Sequence, residues 1–368
     1  MKKIIAYLLC LLLLSGCLGG QDIRQRALVQ LMGIDYEGGH FKLTLQIFSP
    51  SGQNEEGGAS ESQQVIRAEG ATLTEALAGA SQRVGRTAFL GDSRAIVIGY
   101  GAANAQMDTI LRFLSDNDEV YPQVVILVTE GKAGDIVDPE TDEGQIVISN
   151  SLQHITDSAV SRESVCPSSL LSIAKDFYAE GAGTAVLQVS RRDEGVLVLF
   201  EPSGVMVFSG TKPAGSLDDA QHRGMLYLRG LGEGSVFDVP DNVFGRTAVE
   251  VKKVDTGIKT RIENGKPIFT LTVEAELLLC EVSGGPATAF DTADIERLAT
   301  AAAASMKADM ADSLRAASRY GGDVFGLWRY LRRDQSDYWK RNGEKWHEHL
   351  EDIGSDITVD VRIKRRGD

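Results

Sequence analysis

The stretch from Ile268 to Leu279 constrains the fold most. Phe269, Leu271, Val273, Ala275, Leu277 and Leu279 alternate with Thr270, Thr272, Glu274 and Glu276. That two-residue period belongs to a strand with one apolar face and one wet face. Such strands sit in mainly antiparallel sheets that leave one side to solvent, and the apolar side needs a cover. A long helix expected from about Thr292 to Ser318 supplies it. Ile295, Leu298, Ala302, Met306, Met310, Leu314 and Ala317 fall on one stripe, and Gly321-Gly322 ends the helix. Beyond it, Phe325, Trp328, Tyr330, Tyr338, Trp339 and Trp346 read as core filling between helix and sheet rather than as a partner-binding patch. Ile357, Val359, Val361 and Ile363 alternate with polar residues in a closing strand.

The rest of this half reads as strands at Ala185–Val189, Val196–Phe200 and Val205–Phe208, then a helix from Asp218 to Leu228. Two further strands are expected at Val249–Val254 and Ile258–Ile262, with Asn264-Gly265 as a hairpin turn. In the first half, Ala27–Tyr36 and Phe41–Phe48 flank the turn Glu37-Gly38-Gly39-His40, and Ser49 to Ser62 reads as a polar loop before a strand at Val65-Ile66. Thr72 and Glu75 form a capping-box pattern ahead of Leu73, Ala76, Leu77, Ala80 and Val84. Buried strands at Ala95–Gly99 and Val124–Val128 bracket a helix carrying Met107, Ile110, Leu111 and Leu114. Gly131 to about Ser190 reads as mostly helical, with Pro167 opening a helix that holds Leu170, Leu171, Ala174 and Phe177. The fold class is α+β, multi-domain, with a mainly antiparallel sheet and a long packed helix in the C-terminal half. The expected units are 1–16 as a leader, 17–190 (with subdivisions 22–130 and 131–190) and 191–368.

The leader is the most specific targeting signal. Lys2 and Lys3 precede an apolar run from Ile4 to Leu14, too short for the roughly 20 residues of a membrane span. Leu14-Ser15-Gly16-Cys17 then spells a bacterial lipobox, with cleavage expected between Gly16 and Cys17 and a diacylglyceryl group on the Cys17 sulfur. Ser15 and Gly16 are small enough for a peptidase site. Two acyl chains, unlike one, hold a protein stably on a bilayer. The mature chain is thus expected to hang from the outer face of a membrane.

The formal net charge is −14, and loss of Lys2 and Lys3 makes it two units more negative. That argues against nucleic acid, whose phosphates need clustered Lys and Arg. With Cys10 in the leader and Cys17 lipidated, Cys166 and Cys280 remain. A disulfide between them suits an extracytoplasmic setting, though spacing alone leaves the pairing open. Cys280, ending an apolar strand, reads as a small core residue.

Chemical motifs are weaker. Gly91-Asp92-Ser93 with Asp219-Ala220-Gln221-His222 imitates a GDS-type esterase. In those enzymes the serine follows a strand and opens a helix, whereas Ser93 precedes a strand. Asp138-Pro139-Glu140-Thr141-Asp142 resembles the opening of a calcium loop, but Ser149 stands where the bidentate Glu should be. His347 and His349 point to different sides of a helix, and Gly131-Lys132 lacks the glycines of a P-loop. Lys364-Arg365-Arg366 reads equally as a lipid-headgroup contact or a solvated strand end. No catalytic residue, metal ligand or cofactor site is expected, and the chain is read as non-enzymatic.

The order of several segments resembles the C subunit of bacterial spore germinant receptors, the Ger(x)C (GerAC-like) lipoprotein family. They are the lipobox, Gly33-Ile34-Asp35, Phe89-Leu90-Gly91, Gly204-Val205-Met206-Val207-Phe208, Leu217-Asp218-Asp219, Asp323-Val324-Phe325-Gly326, and Trp346 with Ile357 to Gly367. Leu18 replaces the Trp that many relatives carry after the lipid cysteine, and the loop Ser49–Ser62 is longer. The resemblance implies three mixed α/β domains in a row. It also implies a subunit on the outer surface of the spore inner membrane, assembled with two integral-membrane subunits (A and B type) that respond to nutrients. A solute-binding lipoprotein of a transporter and, less well supported, a GDS-type extracytoplasmic esterase are the alternatives.

Overall fold

The computed structural model describes residues 25–50, 61–138, 165–179, 181, 183–194, 197–241, 245–282 and 291–365, with Leu152 and Asp157, so most of the expected loop Ser49–Ser62 lies outside the described residues. The leader with Cys17, the calcium-like residues 139–142 and the segment 366–368 therefore lie outside the described residues, as does most of the helix expected around Ile148 and Ile155.

The chain opens with the expected hairpin, β1 (Arg26–Glu37) and β2 (His40–Pro50). Gly38 and Gly39 have φ of 60° and 83°, which glycine adopts without steric cost and which matches the twist of the flanking strands. β3 (Glu61–Gly70) pairs with β2. In helix α1 (Leu73–Val84) the Thr72 hydroxyl accepts the Glu75 N–H at 3.1 Å, and the Glu75 carboxylate accepts the Ala71 N–H at 2.8 Å. Then come β4 (Thr87–Phe89), β5 (Ala95–Gly99), α2 (Tyr100–Asp116), β6 (Val125–Thr129), α3 (Ala133–Val137) and α4 (Leu170–Phe177). Three strands follow: β7 (Gly183–Glu194), β8 (Leu197–Ser209) and β9 (Lys212–Leu217).

These strands form one mixed sheet in the order β3-β2-β1-β5-β6-β7-β8-β9, with β4 beside β1. β1, β5, β6 and β7 run parallel, and antiparallel hairpins extend both ends. Both faces are covered, which is why β5 is buried throughout. Met32, Ile34, Ile96 and Ile98 meet α1, α2 and α4, whereas Leu31, Val97 and Leu127 face the opposite core, shared with the C-terminal half.

The sequence reading needs correction here. Among the described residues after Gly131, Ala133–Val137 and Leu170–Phe177 are helical, and β7 begins at Gly183, just ahead of the strand expected from Ala185. The α4 cap is Ser169, whose hydroxyl accepts the Ser172 N–H at 3.2 Å, so Pro167 precedes the helix without opening it. Leu197–Phe200, the described part of the strand expected at Val196–Phe200, and Val205–Phe208 fall in one strand, β8, with a register shift in its pairing with β7.

The C-terminal half contains α5 (Asp219–Leu228), β10 (Val236–Asp241), β11 (Gly245–Glu263) and β12 (Lys266–Val282). The long helix α6 (Thr292–Arg319), α7 (Leu327–Asp334), α8 (Ser336–Asn342), α9 (Trp346–His349) and β13 (Gly354–Lys364) complete it. The sheet order is β10-β11-β12-β13; β12 and β13 are parallel and the other pairs antiparallel. The two strands expected at Val249–Val254 and Ile258–Ile262 are one, since Gly257 pairs with Thr272 and the ladder continues to the Asn264-Gly265 turn. Ala302, Met306, Met310, Leu314 and Ala317 of α6 are buried in the same core as Phe269, Leu271, Val273, Ala275 and Leu277, and Leu298 is buried as well. The expected cover is the one observed.

Capping boxes start both packed helices of this half, through Asp218 with Gln221 and Asp291 with Asp294. α5 crosses α6 closely at Gly224, where a Cβ would run into the Asp309 backbone. Alanine there gains about 1 kcal/mol of helix propensity. It also forces the helices apart, an overpacking cost of about 1–3 kcal/mol. Because the obstacle is backbone, the clash dominates. Gly224→Ala is expected to lower unfolding free energy by up to about 2 kcal/mol, read from the urea midpoint. A midpoint at or above that of the parent chain would show that the crossing has slack.

Candidate functional site

Ser93, Asp219 and His222 do not form a hydrolase site. Ser93 is buried before β5, and its hydroxyl donates to the Val29 carbonyl at 3.1 Å. His222 is buried on α5, and its Nε2 accepts the Cys166 N–H at 3.0 Å. The nitrogen that a general base needs is thus engaged in a backbone bond. Burial, with help from Arg223, pushes the His222 pKa down to about 4, so the imidazole is neutral at pH 7.

Cys166 and Cys280 are not joined. Both are free thiols; Cys166 is buried, and burial pushes it up to about 11, which keeps it unreactive. Cys280 is exposed, contrary to the core role expected of it, because it lies at the end of β12 beyond the buried ladder. Asp138 of the calcium-like loop is paired with Arg67, and Lys132 pairs with Glu37 at 3.0 Å. Lys364 pairs with Glu276 at 2.7 Å across β12 and β13. Among the described residues no helix is long and apolar enough to cross a membrane.

The motif residues instead act as internal fasteners. Asp35, near the end of β1, accepts the Ala133 N–H at 2.8 Å and the Gly134 N–H at 2.9 Å, tying α3 to the sheet. Burial raises its pKa while these two donors oppose the shift. The second fastener is Asp323, 2% exposed in the turn between α6 and α7. Its Oδ1 accepts the Leu327 N–H at 3.0 Å, and its Oδ2 accepts the Trp328 N–H at 2.7 Å and the Trp346 Nε1–H at 2.9 Å. Its backbone carbonyl accepts the Gly183 N–H at 3.1 Å, so the start of β7 is bound to the same turn. Burial raises the Asp323 pKa against the pull of its donors.

Around this turn the aromatic rings pack in tilted pairs. Ring centroids lie 6.0 Å apart for Trp328 and Trp339, 6.1 Å for Trp339 and Trp346, and 6.2 Å for Phe269 and Trp346. Trp346 is fully buried, in keeping with the expected core role. The Asp323–Trp346 bond has no local spacing signal, since the partners stand 23 residues apart.

The halves also differ in design. A mixed sheet covered on both faces adjoins a four-stranded sheet covered by α6. Together the fold and its fasteners define a two-sheet α+β protein whose motif residues hold elements together.

Residues 19–191 match the family described as spore germination protein N-terminal domain, and residues 203–367 match spore germination B3/GerAC like, C-terminal. The chain belongs to the GerAC-like family of spore germination proteins. It is 23% identical over 360 residues to spore germination protein B3 of Bacillus subtilis (strain 168), covering 96% of this chain and 94% of that one. Spore germination protein KC of the same organism is 22% identical over 395 residues, with 99% and 95% covered. The crystal structure of the GerBC protein superposes with a TM-score of 0.59 at 18% identity, over 90% of this chain and 96% of that one, a likeness of fold.

Proposed function

We propose that this chain is a non-enzymatic, lipid-anchored C subunit of a nutrient germinant receptor. It acts at the outer face of the spore inner membrane beside two integral-membrane subunits of the A and B type. The observation that carries the reading is the order of parts. A lipobox ending at Cys17 is followed directly by the two spore germination family matches over 19–191 and 203–367. The lipid on Cys17 fixes the protein's height above the bilayer, and the fastened α+β body presents fixed surfaces to its partners. No cofactor is needed in this role beyond the covalent diacylglyceryl group. The internal use of Ser93 and His222 counts against the esterase reading. The differing sheets count against a transporter-type solute-binding protein, which needs two similar lobes around a cleft.

Cys17→Ala in the native host is expected to shift the protein from the membrane to the soluble fraction and to impair nutrient-triggered germination. Mass spectrometry of the parent protein should show a diacylglyceryl-modified Cys17 at the amino terminus. Full membrane retention of Cys17→Ala would defeat the anchoring step, and intact germination without this chain would defeat the receptor role.

A further inference from the structure

We propose that the groove between α5 and α7 is an oxyanion site, taking a carboxylate or phosphate group carried on a small apolar body. The groove measures about 510 Å³. That lies within the roughly 300–1,000 Å³ of small-ligand sites. Arg229, Arg329 and Arg333 line it over a floor that includes Leu228, Phe325 and Tyr330, and among the described residues no carboxylate lines it. In a chain of net charge −14 that is a local reversal of sign.

Two of these arginines already hold an oxyanion. Asp176, at the end of α4, lies 2.9 Å from Arg329 and 3.5 Å from Arg229. One carboxylate between two guanidiniums leaves a positive charge over at the groove. Arg333 lies over the Tyr330 ring at 5.0 Å and is itself paired, its Nε donating to Asp334 Oδ1 at 2.6 Å and its Nη2 to Asp334 Oδ2 at 3.0 Å and to the Ile258 carbonyl at 3.4 Å, so a ligand there would share or displace Asp334. Planar guanidinium forks match carboxylate and phosphate oxygens bidentately, and the apolar floor selects an anion with a hydrophobic body over a bare ion. This inference rests on the groove alone and does not depend on the receptor reading.

Two sources carry this chemistry: a free small molecule and a phospholipid headgroup. The test uses the full chain bearing Cys17→Ala, so that no covalent lipid contributes. Calorimetry with phenyl phosphate is expected to show saturable binding below about 1 mM, at least tenfold tighter than inorganic phosphate. Arg333→Gln and Arg329→Gln should each weaken it about tenfold, the scale of one charge-assisted hydrogen bond. Arg332→Gln, on α7 but outside the groove, should leave it unchanged. Sedimentation with phosphatidylglycerol but not phosphatidylcholine vesicles, lost in Arg333→Gln, would support the site with a headgroup as the source. Phenyl phosphate binding without vesicle binding would support it with a free ligand. Absence of saturable binding, or equal weakening by Arg332→Gln, would overturn the proposal; since Arg329 also anchors Asp176, Arg333→Gln decides if Arg329→Gln misfolds.

Discussion

Asp323→Ala is expected to destabilise the protein by about 4 kcal/mol, more than any other single truncation considered. A buried donor left without its acceptor costs about 1–3 kcal/mol. This one carboxylate serves the Leu327 N–H, the Trp328 N–H and the Trp346 indole N–H. Relaxation and entering water recover part of the total. Gly326, at the N-cap of α7, has no side chain to take over. The shortened side chain also leaves a gap beside Trp346, inside a row of three tryptophans in tilted contact. Denaturant unfolding followed by circular dichroism gives the free energy. Tryptophan emission should shift to the red in the native baseline as water reaches Trp346. A loss below about 1 kcal/mol would mean that the turn is held by its backbone bonds alone.

The second large effect is a pH dependence centred on His222. Its folded pKa is depressed to about 4 by burial, from an ordinary value of 6.5. A depressed pKa means that the unfolded chain binds more protons, so folding stability rises with pH across that window. The contribution of His222 is complete above pH 6.5 and is lost as pH falls towards 4. At 1.36 kcal/mol per pKa unit, the span amounts to about 3 kcal/mol. The physical event is protonation of Nε2, which can then no longer accept the Cys166 N–H at 3.0 Å. Urea unfolding at pH 7.0 and 4.5, compared between the parent and His222→Gln, separates this term from the carboxylates. The parent should lose about 2–3 kcal/mol more than the variant over that interval. Parallel losses in both would show that the imidazole is not what the acid disrupts.

Local signals in the chain were legible where one element contains the whole cause. The two-residue period of Phe269 to Leu277 and the stripe from Leu298 to Ala317 are legible because each is a repeat within one element. The Thr72 and Asp218 helix starts and the Gly38-Gly39 turn were legible because caps and tight turns involve neighbours only. β9 and β10 were missed: Lys-Pro-Ala-Gly-Ser-Leu and Val-Phe-Asp-Val-Pro-Asp lack a clean alternation and are strands because β8 and β11 offer them a paired edge. β11 reads in the sequence as two strands, Val249–Val254 and Ile258–Ile262, yet β12 supplies ladder partners to Asp255, Thr256 and Gly257 between them.

Cys280 illustrates the same boundary from the other side. Its apolar neighbours suggested burial, but exposure is set by where the cover stops, and that depends on how the strands and α6 overlap. The motif residues were visible in the sequence as recurring segments without roles. Sequence alone determined most of the elements with their wet and dry faces, the family resemblance and the lipobox expectation, since each rests on residues that are near in the chain. Only the tertiary structure decided that Asp35 captures α3, that Asp323 gathers Trp346 and Gly183, and that Arg229 and Arg329 meet at Asp176. Those bonds join residues far apart in sequence, and burial of the two cores is what brings the partners within reach.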